Sequence, residues 1–143
     1  MVDIIVTGHG NFATGILSSL KLIAGEPEKL IAIDFTSEDN TETLEAKMIE
    51  ALETLGDEII VLSDLAGGSP FKVAAILSQK LTNKKIEVIS GTNLGMLLEV
   101  SLCRERMSVE ELIKFATNSG KDAIKGFTME ENTEDEFDEE DGI

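Results

Sequence analysis

His9 is the only histidine in a chain of 143 residues, and it stands between two glycines directly after the apolar run Ile4-Ile5-Val6. A strand that ends in a flexible turn carrying one imidazole brings that ring to a sheet edge, within reach of a ligand or partner. There the imidazole can act as a nucleophile that takes up a phosphoryl group and hands it on. A lone histidine is more often a capping or solvent-exposed residue, so its neighbours have to decide. Asp64 follows the apolar run Ile59-Ile60-Val61-Leu62-Ser63. An aspartate that accepts from one ring nitrogen fixes the tautomer and leaves the other nitrogen its lone pair for attack. Gly67-Gly68-Ser69, just before Pro70, has the chemistry to hold the anion. Glycines admit close approach, N–H groups at a helix start point at the charge, and the helix dipole adds about 0.3–1 kcal/mol. The Ser69 hydroxyl can donate too, although the same spelling also fits a plain tight turn. Lys72 does not turn this segment into a nucleotide-type P-loop, because G-x-x-x-x-G-K-[ST] is absent. Asp34 and Asp64 lack the companion ligands that a metal site requires.

These groups work together only if the chain folds to join them. Val2 to Val6 reads as a strand buried on both faces, as in a parallel sheet. Ile16, Leu17, Leu20, Ile23 and Ala24 then recur at helical spacing until Gly25 and Pro27 stop the helix. Leu30–Phe35 is a second strand, and Leu44, Met48, Ala51, Leu52 and Leu55 mark a second helix ending at Gly56. Ile59–Ser63, the most apolar strand, belongs in the centre. Ser69 as N-cap and Pro70 as first helical residue predict a helix from about Pro70 to Leu81. A fourth strand spans Ile86–Ser90, helical spacing returns from Leu94 to Leu102, and Ser108 with Glu111 forms a capping box for a last helix toward Gly120. Ile124–Met129 reads as a short final strand at an edge. This alternation predicts a doubly wound α/β fold, a three-layer sheet with four parallel strands and right-handed crossovers. In such sheets ligands bind at the carboxyl ends of the strands, where the winding reverses. If the first and third strands are neighbours there, His9 and Asp64 meet.

The bulk composition narrows the function classes. A formal charge of −16 with no tryptophan or tyrosine argues against nucleic acid as a partner. Glu130–Ile143 holds nine acidic residues and no basic one, and without it 19 acidic residues face 12 basic, a balance of −7. That stretch reads as a disordered acidic tail behind a single domain of residues 1–129. No run approaches the roughly 20 apolar residues of a membrane helix. The non-basic start, Met1-Val2-Asp3, predicts no secretory leader. Cys103, the only cysteine, fits a reducing compartment and reads as a small core residue.

Gly8-His9-Gly10 after the first strand, together with Asp64-Leu65-Ala66-Gly67-Gly68-Ser69-Pro70-Phe71 after the third, resembles the EIIA domain of the mannose/fructose/sorbose family of the bacterial phosphoenolpyruvate-dependent sugar phosphotransferase system (PTS). Ile33-Asp34-Phe35 and Ser90-Gly91-Thr92-Asn93-Leu94-Gly95-Met96-Leu97 extend the likeness over residues 1 to 129. The resemblance implies a homodimeric cytoplasmic carrier that needs no cofactor. His9 would accept a phosphoryl group from phospho-HPr on Nε2 and pass it to the cognate EIIB, which serves a membrane EIIC/EIID complex. Asp64 would orient the ring through Nδ1, and Gly67, Gly68 and Ser69 would hold the phosphoryl group. The last strand, about Ile124 to Met129, would be an antiparallel edge strand exchanged between subunits. Ala66 and Lys72 depart from the family, which often carries a bulky residue and an asparagine there. Competing readings are an EIIA-like subunit of a PTS-dependent dihydroxyacetone kinase and a non-catalytic anion-binding module. A histidine phosphatase is disfavoured, since its Arg-His-Gly motif and second histidine are missing.

Overall fold

The structure, a computed structural model, describes residues 1–129. The expected acidic tail, 130–143, lies outside the described residues. The chain alternates β1 (Asp3–His9), α1 (Phe12–Ala24), β2 (Leu30–Phe35), α2 (Thr41–Thr54), β3 (Glu58–Ser63), α3 (Ser69–Lys80), β4 (Lys85–Ile89), α4 (Leu94–Cys103) and α5 (Val109–Asp122). The sheet order is β2-β1-β3-β4 and every pairing is parallel. From β1 the chain first winds to one side and then, through β3 and β4, to the other, so the reversal falls between β1 and β3. β3 is central, as its apolar run requires.

Alternation along the strands feeds two cores. Ile4, Val6, Ile60 and Leu62 pack with Leu20 of α1, Leu97 of α4 and Leu112 of α5. Ile5, Ile59 and Val61 face the opposite way, onto Leu44 and Met48 of α2 and Val73 and Leu77 of α3. Helices therefore cover both faces, which is why the strands show continuous apolar runs rather than alternation with polar residues.

Side chains cap several helices. Ser108 and Glu111 form the expected capping box on α5, Asn40 and Thr43 form another on α2, and Asn93 caps α4. Each such cap is worth about 1 kcal/mol. On α3 the expectation fails: Gly68, not Ser69, is the N-cap, and no side chain caps the helix. Gly68 is extended (φ −80°, ψ 165°), so Ser69 and Pro70 already lie within the first turn. β1 runs on past Val6 to His9, because the β2 ladder continues to the pair His9 and Phe35. Gly120 sits inside α5 rather than at its end, pressed against Met96 of α4, where a Cβ would stand 2.8 Å from the Met96 Cε. Cys103 is half-buried at the end of α4, not in the core.

Residues 124–129 form no strand among the described residues. α5 delivers the chain to the surface, where Ile124 and Met129 are exposed. No helix of the described residues is long and apolar enough to cross a membrane.

Candidate functional site

β1 and β3 pair with Thr7 opposite Ser63, so the residues that follow leave the sheet side by side. His9 and Asp64, 55 positions apart, are thereby joined by two hydrogen bonds to one carboxylate oxygen. The backbone N–H of His9 donates to Asp64 Oδ2 at 2.8 Å, and the ring Nδ1 lies 2.7 Å from the same atom. The N–H of Leu65 donates to the other oxygen, Oδ1, at 2.8 Å. Burial alone would push the Asp64 carboxyl up. The His9 N–H, the His9 ring and the Leu65 N–H outweigh it and hold the carboxyl below its ordinary value. An ionised carboxylate opposite Nδ1 keeps the proton on that nitrogen and leaves Nε2 its lone pair. The main chain of Asp64 is fixed too, since its carbonyl accepts from the N–H of Gly91 at 3.0 Å.

The Asp64 side chain is 12% exposed whereas that of His9 is 46% exposed, so the pair has a sheltered half and an open half. Two neighbours flank the ring. The Phe35 ring stands edge-on to it, with centroids 5.8 Å apart and planes at 82°. Gly68 lies against its other end: a Cβ there would stand 2.6 Å from Cε1 and 3.2 Å from Nε2 of His9. Gly8 serves the carboxylate, because a Cβ there would come within 2.9 Å of Asp64 Cγ and 2.5 Å of the Phe12 ring. Gly67 turns the chain with φ +83°, a conformation that favours glycine. The start of α3 is thus set beside Nε2, and the first-turn N–H groups of a helix form a ready anion site. An electron-pair donor on one side of a small gap and an anion-holding helix start on the other suit acceptance of a phosphoryl group.

All five residues singled out from the sequence, His9, Asp64, Gly67, Gly68 and Ser69, lie at these two adjoining loops. Sequence reasoning misses Phe35 and Gly8 as supports of the ring and the carboxylate. Gly8 has a visible signal in the glycine before the histidine, whereas Phe35 becomes a neighbour only through the β1–β2 register. Asp34 works away from the ring, where its carboxylate accepts from the N–H (3.0 Å) and the hydroxyl (2.6 Å) of Thr14 and fastens the start of α1. A cavity of about 500 Å³ lies along β2, lined by Ile31, Asp34 and Lys47 among others, rather than over His9. The open rim of His9 suits exchange with another protein better than enclosure of a small substrate.

Comparison with known proteins gives the family. Residues 3–117 match the family described as PTS system fructose IIA component. The chain is 32% identical over 115 residues to the PTS system fructose-specific EIIA component of Bacillus subtilis, covering 79% of this chain and 77% of that protein. It is also 32% identical over 127 residues to the mannose-specific EIIAB component of Escherichia coli, covering 87% of this chain but 39% of that longer protein. Among solved structures, the crystal structure of phosphotransferase system component EIIA from Streptococcus agalactiae superposes with a TM-score of 0.85 at 41% identity, covering 89% of this chain and 98% of that one. A kinase-type subunit and a permanent anion-binding module are not favoured by these relatives. The chain belongs to the mannose-family EIIA components, the phosphoryl-transfer components of the sugar PTS.

Proposed function

We propose that His9 is the phosphoacceptor, receiving its phosphoryl group from phospho-HPr and passing it to a histidine of the cognate EIIB. The observation that carries this reading is the 2.7 Å contact of Nδ1 with Asp64, which leaves Nε2 free beside the start of α3. The Nε2 lone pair forms a new P–N bond as the P–N bond of the donor phosphohistidine breaks, and the donor imidazole leaves with that electron pair. The product ring carries Nδ1–H and the phosphoryl group together, so it is cationic, and Asp64 faces that charge. The carboxylate lies on the far side of the ring from the phosphoryl group, which avoids repulsion between two anions. Gly67, Gly68 and Ser69 hold the phosphoryl oxygens, and the reaction is a positioned in-line displacement that calls for no cofactor.

Residues 1–129 act in this reading as one EIIA domain, in a cytoplasmic homodimer that serves a membrane EIIC/EIID complex through EIIB. The exposed Ile124 and Met129 and the edge position of β4 support exchange of residues 124–129 between subunits.

Incubation with phosphoenolpyruvate, enzyme I and HPr tests the carrier. One acid-labile phosphoryl group per chain is expected, lost entirely in His9→Ala. In Asp64→Asn transfer is expected to slow by about one to two powers of ten, since a charged hydrogen bond is worth about 1.5–3 kcal/mol. An unlabelled wild-type chain would instead indicate a module that only binds anions.

A further inference from the structure

The two loops beside His9 carry no charged side chain, in a chain otherwise rich in charge. The sequence has 28 acidic and 12 basic residues, yet from Thr7 through Leu20 and from Leu65 through Phe71 the only ionisable side chain is that of His9. These two stretches make the loops beside the ring, and Gly10, Asn11, Leu65, Ala66 and Gly67 are exposed in them. Depletion of charge is the compositional mark of the centre of a protein interface. Within this rim Leu65 is a large apolar side chain left 55% exposed. Its Cδ1 lies 3.4 Å from where a Cβ of Gly68 would be, and that same position is 2.6 Å from the His9 Cε1, so leucine, glycine and imidazole are contiguous. Its backbone is pinned by the bond to Asp64 Oδ1, so the side chain is presented from a fixed base.

Resting on the carrier reading, we propose that Leu65 is the apolar anchor on which the phosphohistidine-bearing donor protein docks. Attack by Nε2 needs the donor phosphorus within about 3–3.5 Å. A donor whose phosphoryl group sits on a protein histidine cannot come that close without laying its own surface over Leu65. Along these two loops a dianionic phosphoryl group meets no carboxylate as it approaches the ring. Because the neighbouring position holds only Ala66, Leu65 is the large side chain of this loop available to the partner.

Two phosphoryl donors separate docking from chemistry: phospho-HPr, and the small molecule phosphoramidate, which needs no protein surface. Leu65→Ala keeps the backbone bond to Asp64. It is expected to lower kcat/KM for phospho-HPr about tenfold, mainly through KM, as truncation of an interface anchor does. Leu65→Asp is expected to lower it about a hundredfold by placing a carboxylate in the path of the phosphoryl group. With phosphoramidate Leu65→Ala should label His9 within about twofold of the wild-type rate, which also reports that it is folded; Leu65→Asp is read with phospho-HPr alone, because its carboxylate repels either donor. Equal slowing with both donors would overturn the proposal by making Leu65 a support of the ring, and unchanged rates with phospho-HPr would overturn it by removing the anchor. A wild-type chain labelled by neither donor would instead sink the carrier reading on which the proposal rests.

Discussion

Gly68 is the residue at which the chemistry is most sharply constrained. Its φ of −80° is open to any side chain, so the backbone does not demand glycine; the His9 ring does. Gly68→Ala should therefore separate stability from activity. The fold should be kept, or gain a few tenths of a kcal/mol from the stiffer unfolded chain. The displaced imidazole should be phosphorylated about a hundredfold more slowly, since misplacement by an ångström costs about that much. Urea unfolding beside phosphohistidine labelling checks both halves, and equal loss of stability and labelling would contradict the steric account. The same contact explains why the N-cap position of α3 holds a glycine. The residue pattern favours a hydroxyl there, but the cap is set by which residue can lie flat against a ring from another loop, and that is not written in local sequence.

At the level of elements, the loop joining β2 to α2 and the contact of the end of β2 with the start of α1 carry the polar work. Asp39 accepts from Lys47 Nζ at 2.8 Å and from the N–H and hydroxyl of Thr36 and the hydroxyl of Thr43. The Lys47 ammonium, then the Thr36 N–H, hold its carboxyl far below the ordinary value of 3.8. A carboxyl depressed in the folded state stabilises it at pH values above 3.8, and that contribution fades as the pH falls further. Asp39→Asn should thus flatten the decline in urea midpoint between about pH 4 and pH 2. A decline as steep as in the wild type would mean that the cluster does not couple to folding. Lys47 also reaches the Asp34 carbonyl at 3.3 Å and so covers a group on the open side of the edge strand β2, which discourages chance strand pairing there. Asp34→Ala should cost about 1 kcal/mol by freeing the Thr14 N–H, read as a lowered thermal midpoint. Most elements are legible because apolar spacing and caps such as Ser108 with Glu111 are local. Asp34 as a cap for α1 is not, because donor and acceptor come from different elements.

For the whole molecule, the sheet order β2-β1-β3-β4 decides both the site and the proposed assembly. Four strands in sequence with helices between them make the parallel sheet readable from the chain, and the apolar run of β3 makes its central place readable. The expected final strand does not form among the described residues, where 124–129 are irregular. Exchange predicts a dimer by light scattering, and a chain ended after Asp122, where α5 stops, should run as a monomer with its helix content retained. A truncated chain that stays dimeric would place the subunit contact elsewhere. The two hydrogen bonds between His9 and Asp64 span 55 positions and sit where β1 and β3 finish their pairing. Such long-range parallel contacts form late compared with local helices. In refolding, competence to take up phosphate should therefore lag behind recovery of the circular dichroism signal, so a nascent or damaged chain would stay silent in the relay until its central strands have closed.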